Sequence, residues 1–283
     1  MFLGMALTLR TFFSMYVPLF GENAMRINIG GIFSIMPSIL FGPIFGGLTS
    51  GLSDFIGFML RPSGQYLPFM TLIVALGGFI RGVLWLLLRG RNVYLLRFSV
   101  GLVALFFILF GAYNWNRLHF DGITNHYMYY FSDGGRNIDT SEMATISRWL
   151  IVRSQDTVNP ATTLSTMITS VTRAPIVAGA FGFLLIVIDL FMSIKLLKNN
   201  ENSNTKSTSI MPLLLAMLIA SVIVSTFNTL LLRATIFTSW QLLPFVVVWL
   251  PRVFQTIVTT TIYAYFVAFL LGICKQLIKP LMV

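Results

Sequence analysis

Long apolar runs separated by short polar patches set the organisation of this chain. The first, Phe2–Phe20, is about long enough to cross a hydrocarbon core, and the loop Gly21–Met25 follows it. It has neither a basic start nor a small-residue cleavage site, which argues for a membrane span over a signal peptide. Ile27–Leu40 reads as a short second span broken by Gly30, Gly31 and Pro37. Pro43–Leu60 and Leu67–Leu88 read as the third and fourth, with the polar loop Arg61–Gln65 between them. Phe98–Tyr113 and Ala174–Ile194 add a hairpin, and Ile210–Leu232 and a last run ending near Ile273 bring the total to about eight. This is the pattern of an all-α polytopic membrane protein.

The stretch Arg26–Thr71 carries the most information. Gly42, Gly46, Ser50, Asp54 and Gly57 recur every three or four residues, so they share one helical face. Small residues on such a face let a neighbouring helix approach closely in lipid, where packing replaces the hydrophobic effect. Gly77, Gly78 and Gly82 form a second face of this kind. Asp54 stands well inside an apolar run, where an acid is costly unless it meets protein, water or a ligand. Two roles are open to it, a polar pocket or an internal salt bridge. Arg10 is the other buried-looking charge, and it either snorkels, pairs with Asp54 or lines a cavity.

Composition sharpens the class. Of 283 residues 56% are hydrophobic and only 10% charged, against about 25% charged in soluble domains. The net charge of +10 then points to cytoplasmic loops and anionic headgroups, with no nucleic-acid partner. One cysteine, Cys274, excludes an internal disulfide. No Gly-Lys dipeptide is present, so the chain has no phosphate-binding loop for ATP. His119 and His126 read as surface or interfacial residues, and neither catalysis nor a metal or cofactor is expected.

Charge asymmetry orients the spans. Arg89, Arg91 and Arg97 come without an acid, which makes Arg89–Arg97 cytoplasmic and, counting back four spans, the N-terminus as well. The polar stretch 114–173 balances arginines with acids and is rich in Tyr and Trp, which suits an extracellular lobe with an interfacial belt. Thr140–Val158 could form a short surface helix in it. Asn199–Ser209, flanked by lysines, reads as a cytoplasmic linker, and Lys275 and Lys279 place the C-terminus inside. Asp189, within the inserted hairpin, is either functional or paired with Lys195 or an arginine of a neighbouring span.

The segment LFGPIFGGLTSGLSDFIGFML, preceded by Arg26-Ile27 and followed by GQYLPFMT, resembles substrate-binding (S) components of energy-coupling-factor (ECF) vitamin transporters, the folate family above all. Asn228-Thr229-Leu230 is similar to the outer end of that family's fifth helix, and LLPFVVVWLPRVFQT to the entry of its sixth. The resemblance covers 1–90 and 210–283 and implies a six-helix core. On it, 91–209 is an insertion: a transmembrane hairpin carrying the 114–173 lobe. The resemblance also implies a T subunit and two ATPase subunits as partners, with ATP hydrolysed there. Docking on the T subunit would use the small-residue face of the first helix, here Gly4 and Thr8. The S component would bind its vitamin from outside and topple in the membrane to deliver it.

A folate-like ligand needs an acceptor for pterin N–H groups, an aromatic platform and cations for its carboxylates. Asp54 is the candidate acceptor, and Tyr66, Trp240 or Trp249 the platform. Arg26, Arg233 or Arg252 would clamp the anion, with Asn28, Gln65, Asn228 and Gln255 completing the outer-end set. The tryptophans have a second reading as lipid-belt anchors, and Arg252 as a headgroup contact. Gln255 stands where the family often has lysine, which bears on folate as the ligand. Alternatives are an S component for thiamine or riboflavin, an ion-coupled secondary transporter using Asp54 or Asp189, and an assembly protein whose lobe binds a partner.

Overall fold

The computed structural model describes residues 1–19, 22–62, 65–120, 145–155, 160–199, 210–237, 240–241 and 245–278. Among them are ten α-helices and one β-hairpin: α1 Phe2–Phe12, β1 Ser14–Leu19, β2 Glu22–Asn28, α2 Gly31–Leu40, α3 Pro43–Leu60, α4 Pro68–Leu88, α5 Val93–Phe120, α6 Thr145–Gln155, α7 Pro160–Val171, α8 Arg173–Asn199, α9 Met211–Thr235 and α10 Phe245–Ile278. Six stretches are long and apolar enough to span a membrane: α3, α4, α5, α7 running into α8, α9 and α10. Two further apolar helices, α1 and α2, are shorter. The protein is an all-α multi-pass membrane protein with a small strand pair beside its first helix.

That strand pair corrects the reading of Phe2–Phe20 as one helical span. Helix α1 has 11 residues, about 16 Å at 1.5 Å per residue, roughly half a hydrocarbon core. The chain then turns extended, and β1 pairs antiparallel with β2 from Ser14↔Asn28 to Leu19↔Glu22. Pro18, which has no N–H to give either a helix or a ladder, sits where the register shifts between Val17 and Leu19. Glu22–Met25, expected as loop, is therefore strand, and the second helix begins at Gly31 instead of Ile27. Elsewhere the expected spans run longer. Val93–Phe120 replaces Phe98–Tyr113, so Arg97 stands in a helix and not in a loop. Thr145–Gln155 lies inside the expected Thr140–Val158, and Pro160–Val171 is an additional helix. The lobe segment 121–144, with His126, and the linker 200–209 lie outside the described residues.

The chain divides into two compact units. The first comprises Met1–Val93, Thr205–Ile236 and Arg252–Val283. Its centre is the α3/α4 hairpin. Gly42 turns the chain into α3 with φ +94, a conformation that a side chain would strain. Pro43 follows at the first helical position, where its missing N–H costs nothing. A Cβ on Gly78 would run into the Gly46 carbonyl and Ser50, so the two backbones touch. Gly77 leaves the same room for Val224 of α9. Buried Ile32, Ile35, Met36, Met217 and Ala220 fill the core of this unit.

The second unit comprises Tyr94–Asn204 and Phe237–Pro251. Helices α5 and α8 run antiparallel, because Gly111 meets Thr172 and Ile176 while Gly179 meets Ala104 and Ile108. Leu118, Leu150, Ile151, Leu164, Met167 and Ile168 make one buried cluster joining α5, α6 and α7.

Candidate ligand-binding site

Asp54 organises the polar interior of the first unit. It stands on α3 six residues before the helix ends, and Gly57, one turn on, leaves space for the arginine stem that crosses there. A Cβ on Gly57 would overlap the Nε and Cδ of Arg10. That arginine reaches over from α1. Its Nη2 donates to Asp54 Oδ1 at 2.8 Å and its Nη1 to the Ser53 carbonyl at 3.0 Å. The second carboxylate oxygen, Oδ2, accepts from the Thr71 hydroxyl on α4 at 2.9 Å. Thr71 and Tyr66 hydroxyls lie 3.1 Å apart. Since Thr71 spends its proton on Asp54, Tyr66 donates to Thr71. The result is a relay from α1 through α3 to the segment leading into α4. Its two charges are 16% and 20% exposed, neither sealed nor open.

Two more contacts hold the same corner. Arg61, at the end of α3, donates to the Thr11 carbonyl at 3.0 Å and to Ser14 Oγ at 3.3 Å. It thereby caps the C-terminal end of α1, where a cation suits the helix dipole. Tyr263 of α10 donates its hydroxyl to the Asn28 carbonyl. Its ring fills the place a Gly31 side chain would need. Tyr66 packs its own ring on Phe58, 5.0 Å between centroids, and edge-on to Phe55 at 5.8 Å.

The candidate residues are thus distributed as follows. Asp54 and Tyr66 are joined through Thr71, and Asn28 is joined to α10 through Tyr263. Gln65 is exposed at the mouth of α4. Asn228 of α9 has its Oδ1 buried with no hydrogen-bond donor among the described residues, and leaving a buried acceptor unpaired costs about 1–3 kcal/mol. Arg233 is half-buried in the last turn of α9, and Arg252 and Gln255 are half-buried on α10. The Arg26 position falls on β2, and its side chain lies outside the described residues. Trp240 and Trp249 belong to the second unit. Trp240 is only 1% exposed and lies against Phe237, ring centres 4.4 Å apart, so it is no lipid-facing anchor. Gly4 and Thr8 lie on the outward side of α1, and among the described residues nothing lies within 4 Å of where a Gly4 Cβ would stand.

Thr71 and Tyr263 are the contacts missing from the sequence-level set. Thr71 closes the GQYLPFMT stretch, so the sequence carried its signal. Tyr263, in a featureless apolar run, gave none. Arg81 of α4 has Nε and Nη1 buried with no hydrogen-bond partner among the described residues.

The comparisons fit this geometry. The family model described as "ECF-type riboflavin transporter, S component" matches residues 1–127, the stretch that holds Arg10, Asp54, Tyr66 and Thr71. "Folate transporter FolT" of Clostridium novyi (strain NT) is 40% identical over 58 residues. That alignment covers 20% of this chain and 34% of the relative, so the match spans about a third of its length. No solved structure matches the chain. Over residues 1–127, just under half of its length, this chain is similar to the S components of ECF-type transporters.

Proposed function

We propose that the protein is the vitamin-binding membrane subunit of an ECF-type importer. In this reading it takes folate or a related molecule from outside, docks by the Gly4/Thr8 face on a T subunit and topples there, with ATP hydrolysed by two partner subunits. Both termini are cytoplasmic, and 91–209 is an insertion in the six-helix core. The observation that carries the reading is the Asp54 relay inside the family-matched stretch: a half-buried carboxylate whose partners come from α1 and α4. Such a carboxylate can exchange one protein donor for a ligand N–H. Asn228, with its unfilled acceptor, supplies a second ligand contact.

Riboflavin is the second ligand on this reading, favoured by the description of the matching family. Folate is favoured by the identity to the folate transporter. Equilibrium binding of tritiated folate and of riboflavin to the purified protein, without partners, decides between them. One-to-one binding of either vitamin, weakened about tenfold or more by Asp54→Asn, is the expected result. If folded protein bound neither vitamin, this reading of the ligand would be lost.

A further inference from the structure

The second unit carries a cleft that the vitamin reading does not use. It opens where α5 ends and α8 begins, has a volume of about 330 Å³, and is lined by Ala112, Trp115, Asn116, Arg173 and Ile176. We propose that this cleft is a phospholipid site. The lipid phosphodiester would sit at Arg173 and Asn116, and the first methylenes of a chain along Ala112 and Ile176.

Three observations converge on that occupant. The outward face of α5 is apolar down its length, with Phe106 60%, Phe110 42% and Tyr113 59% exposed, on a helix long and apolar enough to span. This face meets acyl chains, and the cleft lies at its end. The order along α5 is then phenylalanine, tyrosine, tryptophan and arginine, the sequence of chemistries a lipid shows from chain to headgroup. Second, the cation is held in place. Arg173 lies over the Trp115 ring, 5.5 Å from its centre, a cation–π contact that restrains the guanidinium. Arg117 is held the same way over Tyr113 at 5.7 Å. Third, the described residues of α5, α6 and α7 contain no acid, and the one acid of α8, Asp189, is bound to Arg97. Among the described residues Arg173 makes no ion pair. A planar guanidinium fork beside an apolar trough is suited to a phosphodiester, which accepts two N–H groups side by side.

The proposal stands independently of the vitamin. It is tested by native mass spectrometry of the whole protein, titrated with phosphatidylglycerol in mild detergent. Arg173→Gln should lower lipid retention about tenfold, through loss of a charge-assisted hydrogen bond. Arg173→Lys should lower it by about threefold, because the charge stays and the fork goes. Arg91→Gln, an exposed arginine outside this cleft, should change nothing. Should Arg173→Gln fail to fold, the Lys variant carries the decision. Retention equal to wild type in the folded variants overturns the site. So does displacement of the lipid by millimolar inorganic phosphate alone, which would make it a free-anion site.

Discussion

Two membrane hairpins in this protein are built alike and locked differently. In α3/α4 the backbones meet at Gly46 and Gly78, and in α5/α8 Gly179 lets them meet at Ala104. Each hairpin also carries a single acid paired with an arginine. In α5/α8 both partners belong to the hairpin. Arg97 Nε reaches Asp189 Oδ2 at 2.8 Å and Nη2 reaches Ser193 at 2.8 Å. The two side chains are 13% and 4% exposed. In α3/α4 the arginine comes from a third helix, α1, and the other carboxylate oxygen is held by Thr71. The same pair of residue types therefore makes a closed staple in one place and a joint between three elements in the other. On the proposed function, a joint would transmit a change from the ligand to α1. A staple would not.

The harshest way to break the comparison is to wedge the hairpins open. Gly78→Leu pushes a branched side chain into the Gly46 carbonyl, a backbone atom that cannot swing aside. It should cost about 3 kcal/mol or more and scatter the protein in size-exclusion chromatography. Gly179→Leu meets the Ala104 carbonyl and should destabilise comparably. In any fraction that folds, however, it should leave vitamin affinity unchanged. Equal loss of affinity in both variants would erase the distinction between joint and staple.

Charge removal comes next. Asp189→Asn leaves Arg97 with a weaker acceptor at the better-buried pair, and should cost about 3 kcal/mol by thermal unfolding in detergent. Asp54→Asn acts at a more exposed pair with Ser53 still accepting from Arg10. Its stability cost should be smaller, about 1–2 kcal/mol. For ligand binding the order should invert, with Asp54→Asn the damaging change. A double-mutant cycle of Arg10→Gln with Asp54→Asn would give the coupling directly. A larger stability loss at Asp54 than at Asp189 would make the first pair the staple.

How far these two regions could be read in advance follows from what their residues signal. The α3/α4 hairpin was legible to its ends. Gly42-Pro43 can turn and start a helix, and small residues at helical spacing have one economical use in lipid. The end of α1 was not legible, because Phe2–Phe20 is apolar on both sides of Ser14, with Arg10 its one charge. Short apolar runs do not distinguish strand from helix; only Pro18 hinted at the break. In the second hairpin the apolar signal ends near Tyr113, yet nothing breaks the helix there, so α5 continues through Asn114, Asn116 and Arg117. Helix α7 was hidden by its threonines and serines, weak helix formers. Its Pro160 start was the signal to use. The Arg10–Asp54 pair was one of several options, because forty-four residues separate partners that only the packing of α1 against Gly57 brings together.

The mildest change probes the joint at its far end. Tyr66→Phe keeps the ring that packs on Phe58 and Phe55 and deletes only the hydroxyl that donates to Thr71. Thr71 still donates to Asp54, so the ion pair survives, and the stability cost should be about 0.5–1 kcal/mol. The Thr71 oxygen, however, loses the donor that fixes its rotamer, and Asp54 Oδ2 loses a rigid partner. If the relay is a joint, ligand association should change by a few-fold while the unfolding midpoint moves only slightly. The matching deletion in the staple is Ser193→Ala, which removes the hydroxyl that accepts from Arg97. It should shift the midpoint by a similar amount and leave the association rate alone. Identical behaviour of the two variants in stopped-flow binding would mean that both pairs only hold helices together.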